Sequence, residues 1–178
     1  MKSIHEDQKV TQEEGLADRK KPNWSINSSS GRIFLKCRLE KTSEIKDILV
    51  TSLNMRGDFW QRGKEKFNKE IVNDFSINLP QVLIRLSSIK ELSKMLENWM
   101  NNRTEFSQRI SPEDYGDQYL EIYIGKNEGL IYSKEKPACV ISYKFGSQIE
   151  GKLFFNVDQS CIKLCLEEIN SFIEISKN

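Results

Sequence analysis

Residues 79–102 read LPQVLIRLSSIKELSKMLENWMNN, and this stretch decides the fold. In residues 80–86 apolar side chains alternate with others, which is the period of a strand with one face directed inward. From residue 88 onward the period changes to that of a helix with a single apolar stripe. The stripe consists of Ile89, Leu92, Leu96, Trp99 and Met100. The stretch therefore predicts a buried strand that leads directly into an amphipathic helix.

Residue types at both ends of this helix predict how it starts and stops. Ser88 followed three residues later by Glu91 fits a capping box, in which the side chains satisfy the first N–H groups of a helix. Asn101 and Asn102 suit the C-terminal end, because asparagine tolerates a left-handed backbone. Since Trp99 lies on the apolar stripe, we expect it in the core rather than in a binding site. The helix is therefore interpreted as structural.

Strand patterns flank this stretch on both sides. Before it, alternation predicts strands within residues 32–40, 45–55 and 67–79. After it, we predict strands within residues 103–110, 118–125, 130–132, 138–145 and 149–157. Gly146 suits the hairpin between the last two, and Asp158 is expected to cap a final helix. The order predicts an α+β fold, a mostly antiparallel sheet of about six to eight strands with a central and a C-terminal helix packed against it.

Composition divides the chain into a tail and a domain. Residues 1–31 hold few apolar residues and many charges and end in NSSSG, so they are predicted to be a polar, disordered or loosely attached tail. Trp24 and Ile26 are the residues expected to hold the end of this tail on the domain. Residues 32–178 are predicted to form a single α+β domain, large enough for a stable core without metal or disulfide.

The charge balance argues against two classes of partner. The 27 Lys and Arg residues nearly match the 26 Asp and Glu residues, and the net charge is +1, so no global field favours nucleic acid or a membrane surface. No apolar run approaches the length of about 18 residues that a membrane span needs. The N-terminal sequence lacks the hydrophobic core of a signal peptide. We therefore expect a cytoplasmic protein.

The residues that commonly perform catalysis or bind metal are sparse. The only histidine, His5, lies in the predicted tail, where it cannot hold a positioned geometry. The four cysteines form no CxxC pair and are expected to be buried free thiols, so neither a metal nor a cofactor is predicted. These cysteines are Cys37, Cys139, Cys161 and Cys165. The sequence therefore does not predict an enzyme.

One segment between predicted strands suggests partner binding. It reads RGDFWQRG over residues 56–63 and places Phe59 and Trp60 between Arg56 and Arg62. Aromatic and arginine side chains dominate the energetics of protein interfaces. The alternative is that one aromatic ring enters the core while the other covers a sheet edge.

A second candidate is the acidic segment EDYGD over residues 113–117. Glu113, Asp114 and Asp117 surround Tyr115, and such a group would complement a basic partner surface. The alternative is a solvated loop. A carboxylate pair here could also serve a hydrolase, if the two groups converged in a cleft.

Three segments share their layout with a known class of proteins. They are SIKELSKMLENWM at 88–100, YLEIYIG at 119–125 and KLFFNVDQSCIKLCLEEINSFI at 152–173. Their order and spacing resemble the small cytoplasmic immunity proteins of bacterial polymorphic toxin systems, especially those paired with wall-associated contact-dependent toxins. The resemblance covers residues 79–173 and assigns no functional residues. It implies tight, non-catalytic binding that blocks one cognate toxin.

Three functional hypotheses follow from the sequence. The first is an immunity protein that binds its toxin without a cofactor, as a monomer or homodimer. The second is another interaction module, such as a secretion-system accessory protein, which recruits its partner through the tail and the Phe59–Trp60 segment. The third is a hydrolase that uses the carboxylates of residues 113–117.

Overall fold

The computed structural model describes residues 21–60, 71–126 and 137–176, with the side chains of 58–60 and 71–75 excepted. Eight strands and two helices are found in these residues. The elements of the first half are β1 (Asn23–Asn27), β2 (Phe34–Thr42), β3 (Ile48–Trp60), β4 (Ile71–Arg85) and helix α1 (Leu86–Asn102). Those of the second half are β5 (Phe106–Arg109), β6 (Gln118–Gly125), β7 (Ala138–Phe145), β8 (Ile149–Asn156) and helix α2 (Gln159–Ile175).

The two halves have the same order of elements. Sheet A is formed by β1–β4 in sequence order and sheet B by β5–β8 in sequence order, and every neighbouring pair is antiparallel. Each sheet is followed along the chain by one helix. The predicted α+β class is confirmed, with the strands divided between two sheets.

One apolar core joins the halves. It contains side chains of both sheets and of both helices, including Trp24, Trp99, Ile122 and Phe172, which are almost completely buried. The helices contact each other, and the hydroxyl of Ser93 in α1 donates a hydrogen bond of 2.7 Å to Oδ1 of Asn170 in α2. The expectation that Trp99 belongs to the core is confirmed.

Strand β4 is one continuous strand where the sequence predicted two, the first ending at residue 79 and the second beginning at residue 80. It is continuous because a bulge at Pro80 and Gln81 bridges them: Leu53 opposes Leu79, whereas Thr51 opposes Val82. Gln81 takes a left-handed φ of 60° at this bulge. The extra residue lets both Leu79 and Val82 face the core, which a regular two-residue period does not permit. Proline is tolerated here because β4 is the edge strand of sheet A.

Helix α1 is capped by a residue that is distant in sequence. The capping box predicted from Ser88 and Glu91 is wrong: the helix begins at Leu86, and the side chain of its N-cap residue, Arg85, makes no capping hydrogen bond. Instead, Asp47 accepts hydrogen bonds from the N–H groups of Leu86 (2.9 Å) and Ser87 (2.8 Å). The predicted stop at Asn101 and Asn102 lies at the correct place.

The left-handed residue at the end of α1 is Arg103, however, and not an asparagine. Its φ is 56°, and its N–H donates to the carbonyl of Trp99. The Arg103 guanidinium lies 4.2 Å from the centre of the Trp99 ring. This cation–π contact helps to hold the arginine in a conformation that sequence rules assign to glycine or asparagine.

The folded region begins earlier than residue 32. Residues 23–27, which were assigned to the tail, form β1, because Trp24 and Ile26 insert into the core as anticipated. Residues 1–20 lie outside the described residues, as does the strand predicted at 130–132. In the second half, the predicted bounds of β6 and β7 are confirmed, and Asp158 caps α2 by accepting from the N–H of Cys161 at 2.9 Å.

Candidate interaction surface

Residues 56–60 of the first predicted partner-binding segment lie in a strand and not in a loop, and residues 61–63 lie outside the described residues. Strand β3 continues to Trp60, where Phe59 opposes Asn73 and Trp60 opposes Ile71. Arg56 is exposed and opposes Ser76. The side chains of Phe59 and Trp60, and the whole of Arg62, lie outside the described residues. The position of the segment between two predicted strands suggested a loop, but Gly57 is buried within the paired part of β3.

The second predicted segment is the connection between β5 and β6. Glu113, Asp114 and Asp117 are exposed, and Tyr115 is half-buried. Nη2 of Arg85 donates a hydrogen bond of 2.6 Å to Oδ2 of Asp114. The carbonyl of Asp117 accepts from the N–H of Gly146 at 2.7 Å, which ties this connection to the β7–β8 hairpin.

The structure does not bring the two predicted segments together. Arg85, which holds Asp114, opposes Ile48 at the start of β3, whereas Arg56 lies eight residues further along this strand. At about 3.3 Å per residue, this separation is about 26 Å. The two segments therefore belong to different parts of the surface, and a single compact site cannot contain both.

The outer face of sheet A forms a groove that the sequence did not identify as a site. We call it the sheet A groove; its volume is about 1190 Å³. Side chains of β2, β3 and β4 that point away from the core line most of it. They include Phe34, Lys36, Arg38, Glu40, Lys41, Ser52, Asn54 and Asn78. Asn54 and Asn78 face each other across β3 and β4, joined by a side-chain hydrogen bond of 2.5 Å.

Glu40 is the acidic centre of the sheet A groove. It accepts hydrogen bonds from Nζ of Lys21 at 2.5 Å, the hydroxyl of Ser52 at 2.7 Å and Nε of Arg38 at 3.1 Å. The hydrogen bonds from Lys21 and Ser52, aided by the charge of Arg38, lower the pKa of Glu40 to about 2. Glu40 is therefore a fixed negative charge at any physiological pH.

Two lysines of the sheet A groove differ from Lys21 and Arg38. Lys36 and Lys41 are both exposed, and neither forms an ion pair with a carboxylate in the described ranges 21–60, 71–126 and 137–176. The groove is lined by three cationic side chains and one anionic side chain, which gives a local excess of positive charge. The outer face of sheet A is therefore locally basic, although the net charge of the whole chain is close to zero.

The outer face of sheet B carries a smaller groove of about 560 Å³, the sheet B groove. Its charges balance, with Arg109, Lys144 and Lys152 against Glu113, Glu121 and Glu150. The hydroxyl of Tyr119 donates to Glu121, and the guanidinium of Arg109 lies 5.1 Å from the centre of the Tyr119 ring. Burial and the hydrogen bond to Glu121 raise the pKa of Tyr119 to about 12.

The cysteines lie away from both grooves. Cys37, Cys139 and Cys165 are buried free thiols, as expected, and Cys161 is half-buried. Burial raises the pKa of Cys37 to about 12 and also raises the pKa of Cys139 and Cys165, so these thiols are unreactive. No group of three or more His, Cys, Asp or Glu side chains suited to a metal ion occurs within the part of the chain that the structure describes.

One finding concerns membrane-spanning helices, and another concerns similarity to known proteins. Neither of the two helices in the described residues combines the length and the apolar character that crossing a bilayer requires. The chain matches no protein-family model, and no curated protein or solved structure is significantly similar to it. The resemblance to immunity proteins therefore stays a prediction.

Proposed function

We propose that this protein is a non-catalytic binding protein that neutralises a cognate bacterial toxin in the cytoplasm by direct contact. The observation that supports this most is the sheet A groove, a charged surface of about 1190 Å³ built on a four-stranded sheet. Small-molecule sites measure about 300–1,000 Å³ and enclose most of their ligand. A larger, open groove that carries four charged side chains along a sheet suits a macromolecule better.

Neutralisation by such a surface needs no cofactor. An interface of ordinary size buries about 800 Å² on each partner, enough to cover a catalytic cleft or a substrate path. A sheet whose strands are fully paired changes shape little on binding, so little conformational entropy is lost. Rigid presentation of charged side chains also raises the rate of association with a partner of opposite charge.

The proposal is tested by capture from the native cells followed by a growth assay. The tagged protein is used to isolate partners from a lysate, and eluted proteins are identified by mass spectrometry. We expect one stoichiometric partner with a toxin-like C-terminal domain, and we expect expression of that domain to stop growth unless this protein is co-expressed. A secretion or envelope component as the only specific partner, or a toxin domain that stays lethal during co-expression, would contradict the proposal.

The captured complex also tests the acidic segment. Asp114→Ala removes the charge that pairs with Arg85 on a surface distant from Arg56. If the residues 113–117 are an energetic centre of the interface, this variant weakens the complex by about 2 kcal/mol. An unchanged dissociation constant, measured by calorimetry on a folded variant, would remove this segment from the interface.

A further inference from the structure

The distribution of charge on the two sheets is unequal. The side chains that line the sheet B groove carry three positive and three negative charges, whereas those of the sheet A groove carry three positive charges and one negative charge. Two of the cationic groups in the sheet A groove, Lys36 and Lys41, are exposed. Neither forms an ion pair with a carboxylate among the described residues. An uncompensated positive charge on a rigid face attracts and orients a negatively charged partner.

The spacing of these lysines matches a surface rather than a point ligand. Lys36 opposes Asn54 and Lys41 opposes Val50, because β2 has a bulge between Leu39 and Lys41. Since these partners are four residues apart on β3, the two lysines lie about 13 Å apart at about 3.3 Å per residue. A single phosphate or carboxylate cannot contact both. The amides of Asn54 and Asn78 lie on the strands beside them, and amide groups offer both donors and acceptors to a polypeptide surface.

The position of Glu40 favours an acidic protein over a nucleic acid as the partner of this groove. This carboxylate stays charged between Lys21 and Arg38, in the same groove as Lys36 and Lys41. A nucleic acid presents a phosphate at every nucleotide, so that Glu40 would repel a strand following the groove. A protein surface can place acidic residues against the lysines and a neutral or basic residue against Glu40. Among the side chains that the structure describes, Phe34 is the one aromatic group of this groove, whereas single-stranded nucleic acid is usually bound on several.

We propose that the sheet A groove is the surface on which this protein binds its partner, and that the partner presents a mainly acidic protein surface to Lys36 and Lys41. The proposal rests on the proposed function, whose partner it characterises. It departs from the sequence analysis, which placed binding at residues 56–62 and 113–117. The partner's acidic residues are expected about 13 Å apart, to match the two lysines.

A charge-reversal experiment with a matched control tests this surface. The test variant is Lys36→Glu with Lys41→Glu, and the control is Lys144→Glu with Lys152→Glu on the outer face of sheet B. Both variants change the net charge equally, and all four lysines are exposed. Lys144 lies 4.0 Å from Glu150, and loss of such an exposed pair costs about 0–1 kcal/mol, so both variants should keep a melting temperature close to that of the wild type. The probe is a fluorescein-labelled random copolymer of L-glutamate and L-alanine, poly(Glu-Ala), whose neutral residues can lie against Glu40. Its binding is followed by fluorescence anisotropy at low ionic strength and at about 0.15 M salt.

We expect wild-type protein to bind poly(Glu-Ala) at low salt and more weakly at the higher salt. The sheet A variant should bind at least about tenfold more weakly, and the control variant within about twofold of wild type. Equal losses in the two variants would overturn the proposal, since net charge alone would then explain binding. Absence of binding at low salt would also overturn it. Tighter binding of a labelled oligothymidylate than of poly(Glu-Ala), lost in the sheet A variant, would replace it with a nucleic-acid partner.

The same variants separate failure of this proposal from failure of the proposed function. If both variants capture the toxin from the native lysate as well as wild type does, the sheet A groove is not the binding surface, while the proposed function stands. If the sheet A variant alone loses poly(Glu-Ala) binding but wild-type protein captures no toxin, the surface is supported and toxin neutralisation is not.

Discussion

The outer faces of the two sheets differ although the halves share one order of elements. On sheet B, Arg109, Tyr119 and Glu121 contact one another, and the charges of the groove balance. On sheet A, Glu40 is surrounded by basic groups while Lys36 and Lys41 face solvent. A groove whose charges balance gains less from a charged partner than one with an excess of positive charge. Sheet A is therefore the face on which we expect an acidic partner to bind.

The largest expected effect tests whether the halves are one cooperative unit. Trp24 lies in β1 of the first half and is 0% exposed in a core that both halves share. Trp24→Ala should lower the free energy of unfolding by about 4 kcal/mol, because the cavity cannot be filled by its neighbours. Urea unfolding followed by far-UV circular dichroism and by tryptophan fluorescence should give one coincident transition. Two separate transitions would show that the sheets unfold independently.

The next effect concerns the packing of a tyrosine on a glycine in sheet B. Gly151 opposes Tyr143, and a Cβ atom at residue 151 would lie 2.6 Å from the tyrosine Oη and 2.9 Å from Cζ. Gly151→Ala should therefore cost about 1–3 kcal/mol of stability through overpacking. The control is Gly116→Ala, where nothing lies within 4 Å and a change within about 0.5 kcal/mol is expected.

A double-mutant cycle sharpens this second prediction. If the overlap with Tyr143 causes the loss, Gly151→Ala should cost less stability in a Tyr143→Ala background than in the wild type. Both costs are obtained from thermal or urea unfolding of the four proteins. Additive effects would assign the loss to the backbone of β8 instead.

A smaller effect distinguishes the caps of the two helices. Asp158 caps α2 locally by accepting from the N–H of Cys161, whereas α1 depends on Asp47, which is distant in sequence. Asp158→Ala should lower the free energy of unfolding by about 1 kcal/mol, the usual value for loss of an aspartate cap. Urea denaturation at neutral pH measures it. No change would mean that water satisfies the N–H groups at the start of α2 equally well.

The smallest effect is the pH dependence of the Glu40 cluster. Lys21, Ser52 and Arg38 hold the pKa of Glu40 at about 2, below its ordinary value of 4.5. Because the folded-state pKa is the lower one, the contribution to stability is complete above about pH 4.5 and is lost as the pH falls toward 2. Glu40→Gln should cost less than about 1 kcal/mol at pH 7, since the pairs are partly exposed. The difference from wild type should vanish near pH 2, and a difference independent of pH would contradict the assignment.

Local sequence patterns were sufficient for much of the second half. Strands β6 and β7, the Gly146 hairpin and the Asp158 cap all depend on residues close to each other in the chain. The continuous β4 and the capping of α1 by Asp47 could not be predicted in the same way. Both arise from pairing between β3 and β4 and from the turn before β3, and that pairing has no local signature.

The sheet A groove was only partly visible in the sequence. The alternating pattern of residues 32–40 puts Lys36 and Arg38 on one face of a strand, and this is the outer face of β2 in the structure. The pattern could not show that Asn54 and Asn78 lie beside them, because cross-strand register depends on the bulges of β4. Residues 56–63 lie between two predicted strands and were therefore expected to form a loop, but Gly57 is a buried strand residue.

The contact between β1 and α2 has a consequence for the timing of biosynthesis. The N–H and the hydroxyl of Ser25 both donate to Oε2 of Glu168, at 2.7 and 2.9 Å, across a sequence separation of 143 residues. At about 5–20 residues per second, a ribosome needs roughly 7 to 29 s to synthesise that separation. During this interval the edge of sheet A lacks its cover and can pair with other nascent chains. Helix α2, which is synthesised after all eight described strands, is thus the element that covers β1, so this contact forms only after synthesis of α2.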